Sequence, residues 1–270
     1  MRILLLGHRE IASNLGISLL VQGLQQFDLR IALSGAGEEA HPDHLPELAE
    51  LNQVEQSMCD ALDQGLPGPA AARVGLFGFN ELARQTGNPI EMLSSPNSRG
   101  GLRKLRIWSP DLILSLRYRK ILYEEAIAQP RFGVLNLHSG LLPKFRGVMA
   151  TFHAMLEGKG KVGSTLHRIS SRGIDTGEII QSFPVSVGQG RSYLANVLSL
   201  YPRGCAEMVN AALTLHSGNS LKTVQQPDSD SYYRLPSAEQ IRQFKEAGLQ
   251  LCHGGELDEF LAQELSRIGL

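Results

Sequence analysis

DLILSLRYRKILYEEAIAQPRFGVLNLHSG, Asp111 to Gly140, sets the architecture. DLILSL and GVLNLH are short, nearly continuous apolar runs, the pattern of parallel strands buried on both faces. EEAIAQ between them reads as a helix. Strand, helix, strand at this length is the repeating unit of an α/β sheet. Both runs end in polar residues: Arg117, Tyr118, Arg119 and Lys120 after the first, Asn136 and His138 at the close of the second. A spacing of two puts Asn136 and His138 on one face of their strand.

The same alternation extends both ways. Upstream, Arg2 to Leu6 is an apolar run ending at Gly7. SNLGISLLVQGL follows with Leu15, Leu19, Leu20 and Leu24 at helical spacing, and DLRIALSG is a second strand. This opening predicts a Rossmann-like sheet. GHREIASNLG is not GxGxxG, so a dinucleotide site is not expected. LPELAELNQVEQSMCDALDQG reads as helical and LPGPAA as its stop. RVGLFGF reads as a further strand and GNPIEML as a short one. SSPNSRGG, Ser94 to Gly101, reads as a mobile loop over a site, followed by a basic helix, LRKLRIW.

Downstream, MATFHAMLEG carries Met149, Phe152, Met155 and Leu156 on one helical stripe. VGSTLHRI alternates with period two and is expected to be half-exposed. After the polar turn RGIDTG comes another strand, EIIQSFPVSV. Leu194 to Leu215 predicts a long helix broken near Pro202. SAEQIRQF opens with a capping box, Ser237 with Gln240. LDEFLAQELSRI places Leu257, Phe260, Leu261, Leu265 and Ile268 on one face; that face either packs on its own domain or meets a second copy. The expectation is a mostly parallel twisted sheet with flanking helices and a mixed edge. Residues 1–216 form the catalytic domain, with an insertion at about 38–75. A linker and small helical extension occupy 217–270.

Bulk properties bound the function. The 270 residues are 42% hydrophobic and 20% charged with a net charge of −1. That composition is globular and gives no general pull toward nucleic acid or membrane. Cys59, Cys205 and Cys252 lack CxxC spacing and read as reduced thiols of a cytoplasmic protein, with no metal site. The first apolar run is too short for a signal peptide or a span.

Asn136, His138 and Asp175, each near a strand's carboxyl end, make a coherent chemical set. An amide can donate to a developing oxyanion, an imidazole can relay a proton, and a carboxylate can set the imidazole's charge or hold a water. Ser139 lacks a nucleophile elbow, so direct attack of a substrate group on a carbonyl is the expected chemistry. By itself, Asn-x-His could equally be a hydrogen-bonded strand end, and the arginines a solvated one.

NLHSGLLPKFRG, then GSTLHRI, then GIDTGEII resembles the 10-formyltetrahydrofolate-dependent formyltransferases. That family includes methionyl-tRNA formyltransferase, glycinamide ribonucleotide transformylase and the amino-sugar nucleotide formyltransferases. The likeness is close from about Pro110 to Val185, weaker over 1–35 and 80–109, and lost through 38–75. It implies the formyltransferase fold, with Asn136 and His138 stabilising a tetrahedral oxyanion and Asp175 positioning His138 and a water. It implies a cis bond at Leu142-Pro143. It places the folate against Arg119, Lys120, Leu122, Leu142, Pro143, Ser171, Gly173 and Ile174. The acceptor would lie near Ser139, Gly140, Arg117 and Tyr118.

Two departures stand out. HRISSRGIDTG is one residue longer than the commoner form, and Ser139-Gly140 replaces Pro-Ser, leaving room for an unusual amine. GHREIASN lacks the glycine-rich phosphate loop of the glycinamide ribonucleotide enzymes. The C-terminal stretch reads as helical and not strongly basic, which disfavours RNA. QQPDSDSYYRLP is similar to the family's linker. The partners implied are therefore 10-formyltetrahydrofolate and a small amine, an amino sugar nucleotide or a secondary-metabolite amine. A tRNA formyltransferase, a 10-formyltetrahydrofolate hydrolase and a non-catalytic folate binder are the alternatives. The hydrolases of this kind carry an N-terminal regulatory domain, whereas this sequence opens on its first strand.

Overall fold

The computed structural model describes residues 1–35, 45–188 and 190–267. Residues 38–44 of the expected insertion and Ile268 of the apolar C-terminal face lie outside them. In order, the elements are β1 (Arg2–His8), α1 (Ile11–Gly23), β2 (Asp28–Ser34), α2 (Pro46–Asp63), α3 (Pro69–Arg73), α4 (Phe79–Thr86), β3 (Glu91–Met92), α5 (Arg99–Trp108), β4 (Leu112–Leu116), α6 (Glu124–Ile127), β5 (Val134–His138), α7 (Ala150–Leu156), β6 (Lys161–Ile169), β7 (Ile179–Ser186), α8 (Tyr193–Leu198), α9 (Tyr201–His216), α10 (Ala238–Glu246) and α11 (Glu256–Arg267).

The strands form one sheet in the order β3-β2-β1-β4-β5-β6-β7. The first five are parallel; β6 runs antiparallel to β5, and β7 antiparallel to β6. The chain builds outward from β1 to β3, then returns to place β4 on the other side of β1. Strand order therefore reverses between β1 and β4, and in open α/β sheets ligands bind beyond the strand ends at that crevice. The two central strands are buried along almost their whole length, which explains their uninterrupted apolar runs.

Four local expectations are corrected. RVGLFGF is not a strand: Gly75 turns with φ +71, and Phe79 already opens α4. β2 instead takes the two-residue β3 as its outer neighbour. LPGPAA stops α2 but also starts α3, with Pro69 at a position where its missing N–H costs nothing. β6 is not half-exposed; Val162 to His167 are all buried. Its alternating polar residues serve the interior, as described below. Ser94 to Gly101 is a loop only to Ser98, which caps α5 through the Gly101 amide. Asn97 ties this loop to the end of β4 by donating to Ile121 O (2.7 Å) and accepting from Tyr123 N (2.8 Å).

The C-terminal helices complete the core. Phe244 of α10 stacks on Phe152 of α7 at 4.5 Å, and the capping box at Ser237 and Gln240 forms. In α11, Phe260 and Leu261 are buried, and the helix lies against α3 and α8. Among the described residues no helix is long and apolar enough to cross a membrane.

Candidate active site

Antiparallel pairing of β5 with β6 sets Asn136 opposite His167 and His138 opposite Thr165. Opposed residues share a face, so these four side chains meet on one side of the sheet. Thr165 donates to Gly140 O (2.7 Å) and accepts from Leu142 N (3.1 Å), which pins the turn leaving β5. The Leu142-Pro143 bond in that turn is cis. His138 Nε2 lies 2.6 Å from Phe145 O, to which it donates. Gly140 sits beneath this bond. A Cβ there would stand 2.6 Å from His138 Nε2 and 2.7 Å from Phe145 O. The missing side chain is thus required by the chain's own packing.

His167 was read from sequence only as part of an alternating strand. Its Nδ1 lies 2.9 Å from Arg168 O and its Nε2 3.0 Å from Asn136 Nδ2. A carbonyl can only accept, so Nδ1 carries the proton and neutral Nε2 accepts from the Asn136 amide. One Asn136 N–H is thereby fixed, and the second remains for a ligand.

Asp175 closes the group. Its carboxylate lies 3.5 Å from His138 Nδ1 and 3.5 Å from His167 Nε2, and it accepts from Gly147 N at 2.9 Å. Burial alone would raise its pKa. The attraction of His138, and of His167, when these are protonated, and then the Gly147 amide outweigh burial and hold it at about 2. Asp175 is therefore a carboxylate throughout the neutral range, next to two imidazoles.

The residues expected beside substrates divide into two groups. Arg117, expected near the acceptor, is committed within the chain: Nε meets Glu10 Oε1 at 2.9 Å and Nη2 meets Glu55 Oε1 at 3.1 Å. Glu10 in turn caps α1, accepting from Ala12 N (3.2 Å) and Ser13 N (2.6 Å). Tyr118 donates its hydroxyl to Leu93 O. The Leu122 side chain is buried in a core with Leu102, Leu105 and Trp108. Arg119 and Lys120 keep surface at the end of β4, where the Arg119 amide donates to Ser34 Oγ at 3.3 Å. Ser139 is partly exposed beside His138, and its carbonyl accepts from Thr151 Oγ1 at 2.8 Å. Gly173 and Ile174 are exposed and Ser171 is partly so. Their loop touches the β4 end, with Arg172 N donating to Glu124 Oε1 at 3.4 Å. Leu142 and Pro143 lie on the pinned turn. Among the described residues, no group of three or more His, Cys, Asp or Glu side chains is placed to hold a metal ion.

Residues 94–193, which contain this entire cluster, match the family model described as formyl transferase. The likeness to that family rests on this segment, which is less than half of the chain. A methionyl-tRNA formyltransferase from Syntrophomonas wolfei is 27% identical over 161 residues, covering 58% of this chain and 51% of the relative. The chain thus spans about half the length of that curated relative. Solved formyltransferases share the fold. WlaRD, a sugar 3N-formyl transferase solved with dTDP and 5-N-formyl-THF, superposes with a TM-score of 0.57 at 17% identity, over 94% of this chain and 83% of its own. A phosphoribosylglycinamide formyltransferase from Anaplasma phagocytophilum gives 0.55 at 15%, over 86% and 96%. A sugar N-formyltransferase from Shewanella gives 0.54 at 16%, over 98% and 88%.

Proposed function

We propose that the chain transfers a formyl group from 10-formyltetrahydrofolate to the amine of a small acceptor, an amino sugar nucleotide or a secondary-metabolite amine. The observation that carries this reading is the meeting of Asn136, His138 and Asp175 on one face at the carboxyl end of β5, inside the formyl transferase segment. The acceptor nitrogen attacks the formyl carbon, the carbonyl becomes a tetrahedral oxyanion, and the bond to the folate nitrogen then breaks. The proton lost by the amine ends on that folate nitrogen. Asn136 has one amide hydrogen free for the oxyanion. His138 reaches it by sharing or giving up the hydrogen now directed at Phe145 O. Asp175, ionised and facing His138, stabilises the imidazolium and accepts the proton relay.

The folate would lie between the β4 end and the 170–175 loop, which the Arg172–Glu124 contact brings together. Ile121, Tyr123 and Ile174 are exposed large apolar side chains on these two segments, a fitting surface for a flat heteroaromatic ring. On the acceptor side, the N-terminus of α1 already holds the Glu10 carboxylate, so a phosphate there meets the chain's own negative charge and finds the Ala12 and Ser13 amides taken. This favours an acceptor that presents its amine, not a phosphate, to the crevice. A tRNA acceptor is the second reading, favoured by the curated relative.

The test is absorbance-monitored turnover of 10-formyltetrahydrofolate against amino sugar nucleotides, hydroxyornithine-type amines and charged initiator tRNA, with a no-amine control. Turnover dependent on a small amine supports the proposal. Turnover only with tRNA selects the second reading, and turnover in the control alone means a hydrolase. Folate binding without turnover in any arm means a binder.

A further inference from the structure

Asp175 occupies a left-handed backbone conformation, φ +54, that non-glycine residues rarely adopt. Something must hold the turn, because the direction of its carboxylate depends on it. Within the loop, Thr176 Oγ1 donates to Gly173 O and Gly173 N to Ser171 Oγ, each at 3.2 Å. Further support comes from a segment some fifty residues later.

Val224 pairs with Ile179 at the start of β7 through two reciprocal bonds of 2.8 Å. Two residues on, Gln226 turns its side chain into the Asp175 loop. Its Nε2 donates to Asp175 O at 3.0 Å and to Gly177 O at 2.6 Å. Both acceptors are carbonyls, so only the NH₂ end of the amide can face them, and its orientation is determined. Gln226 Oε1 is then buried with no partner among the described residues. The chain tolerates an orphaned acceptor in order to keep both donor bonds, which ordinary packing would not require. The turn has no slack of its own: a Cβ on Gly177 would stand 1.8 Å from Arg168 O.

We infer that Gln226 is a positioning residue: its amide fixes the Asp175 turn and so aims the carboxylate between His138 on β5 and His167 on β6. The catalytic consequence rests on the proposed formyl transfer; the positional one does not. The same segment clamps the opposite wall of the site. Tyr233 N donates to Arg146 O (2.8 Å) and Tyr233 O accepts from Val148 N (2.9 Å), while Tyr233 stacks on Phe145 at 5.7 Å. Residues 224–233 therefore hold both loops that meet over His138, and Gln226 is the member that acts on Asp175.

The experiment uses the full chain with Gln226→Met, which keeps length and removes the donors, and Gln226→Asn, which withdraws the amide by one methylene. Carbon-13 NMR of the Asp175 carboxyl, assigned with Asp175→Asn, follows its titration; steady-state kinetics follow kcat and KM. In both variants the titration should move up from about 2 toward the ordinary carboxylate range, because the carboxylate leaves its two imidazoles. The kcat should fall about 10-fold while KM for the folate stays within about twofold. An unmoved Asp175 titration in both variants overturns the inference. If Gln226→Met fails to fold, Gln226→Asn alone decides. If the unmutated protein transfers no formyl group, the functional reading fails by itself, and the titration still decides the positioning role.

Discussion

Replacing Arg117 with Met separates a structural arginine from a substrate-binding one. Its guanidinium is the cation between Glu10, which has no exposed surface, and Glu55, with 3%. Methionine keeps most of the side chain's length and leaves two buried carboxylates without it. Removing one partner of a buried pair costs about 3–5 kcal/mol. Glu10 retains its two amide bonds from α1, so most of the loss falls on Glu55. Burial raises the pKa of Glu55, and Arg117 opposes that rise; without Arg117 the carboxyl goes higher and takes up a proton instead. Keeping a carboxyl of ordinary pKa 4.5 protonated costs about 4.8 kcal/mol at pH 8 and about 1.4 kcal/mol at pH 5.5. Glu55 already stands at about 7 in the intact protein, so most of that burden at pH 8 and nearly all of it at pH 5.5 exists before the change; because Glu55 takes up a proton, the variant should lose only about 1–2 kcal/mol more at pH 8 than at pH 5.5. The sign follows from the raised folded-state pKa: stability is present below the unfolded value and lost as pH rises through the folded one. Urea denaturation at both pH values measures it. A loss at pH 8 no larger than the loss at pH 5.5 refutes the buried-cluster reasoning. Full stability with a raised acceptor KM would return Arg117 to the substrate.

His138→Ala and Asp175→Asn should each lower turnover by about 10²-fold or more, measured with saturating folate; near-normal rates in both would remove the mechanism. Gly140→Ala should cost about 1–3 kcal/mol in urea denaturation and lower activity, because its methyl would also stand 2.5 Å from the Ala150 methyl. Phe244→Ala should cost about 3–5 kcal/mol, since the ring is buried and stacked on Phe152. A cost within experimental error would mean that α10 is an appendage.

The parts of the site that could be read in the sequence are those fixed by short-range geometry. Asn136 and His138 lie two apart on a strand, and period two alone puts them together. Asp175 was read from its place beyond a strand's carboxyl end and from the resemblance of GIDTG, since no periodicity ties it to the other two. His167 was missed because its role depends on register. Only the pairing of β5 with β6 sets it opposite Asn136, and an alternating strand looks the same whether its second face meets water or a buried amide. Thr165 and Ser164 misled in the same way, being polar residues that hydrogen-bond or hide inside the sheet. Gln226 was beyond reach for a different reason. It acts across 51 positions through one side-chain amide, and no periodicity marks such a contact. RVGLFGF failed because apolar content alone does not make a strand when glycine turns the chain and a helix opens at Phe79.

The first helix links fold and specificity. At the β1–β4 switch point, α1 should offer free amides to an anion. A glycine-rich turn would leave them open by bringing backbone close to the ligand without a side chain. GHREIASN instead supplies Glu10, whose carboxylate takes the Ala12 and Ser13 amides and the charge of Arg117. Arg117 also reaches Glu55 on α2, and Arg9 reaches Asp60 and Asp63 on the same helix at 2.8 and 2.6 Å. The exchange is physical: a site that could have held a ligand's negative charge holds the chain's own, and that charge fastens α2 across the crevice. The buried Glu10–Arg117–Glu55 group is worth more as an anchor than the exposed Arg9 pairs, because water screens the latter. If Glu10 were replaced by Ser, a smaller cap, the helix could still be capped, but Arg117 would face Glu55 alone. Phosphate affinity at α1 should then stay weak, since Glu55 and Asp63 keep the surroundings acidic. Measurable phosphate binding by Glu10→Ser in calorimetry would show that the single carboxylate, and not the α2 anchor as a whole, closes the site.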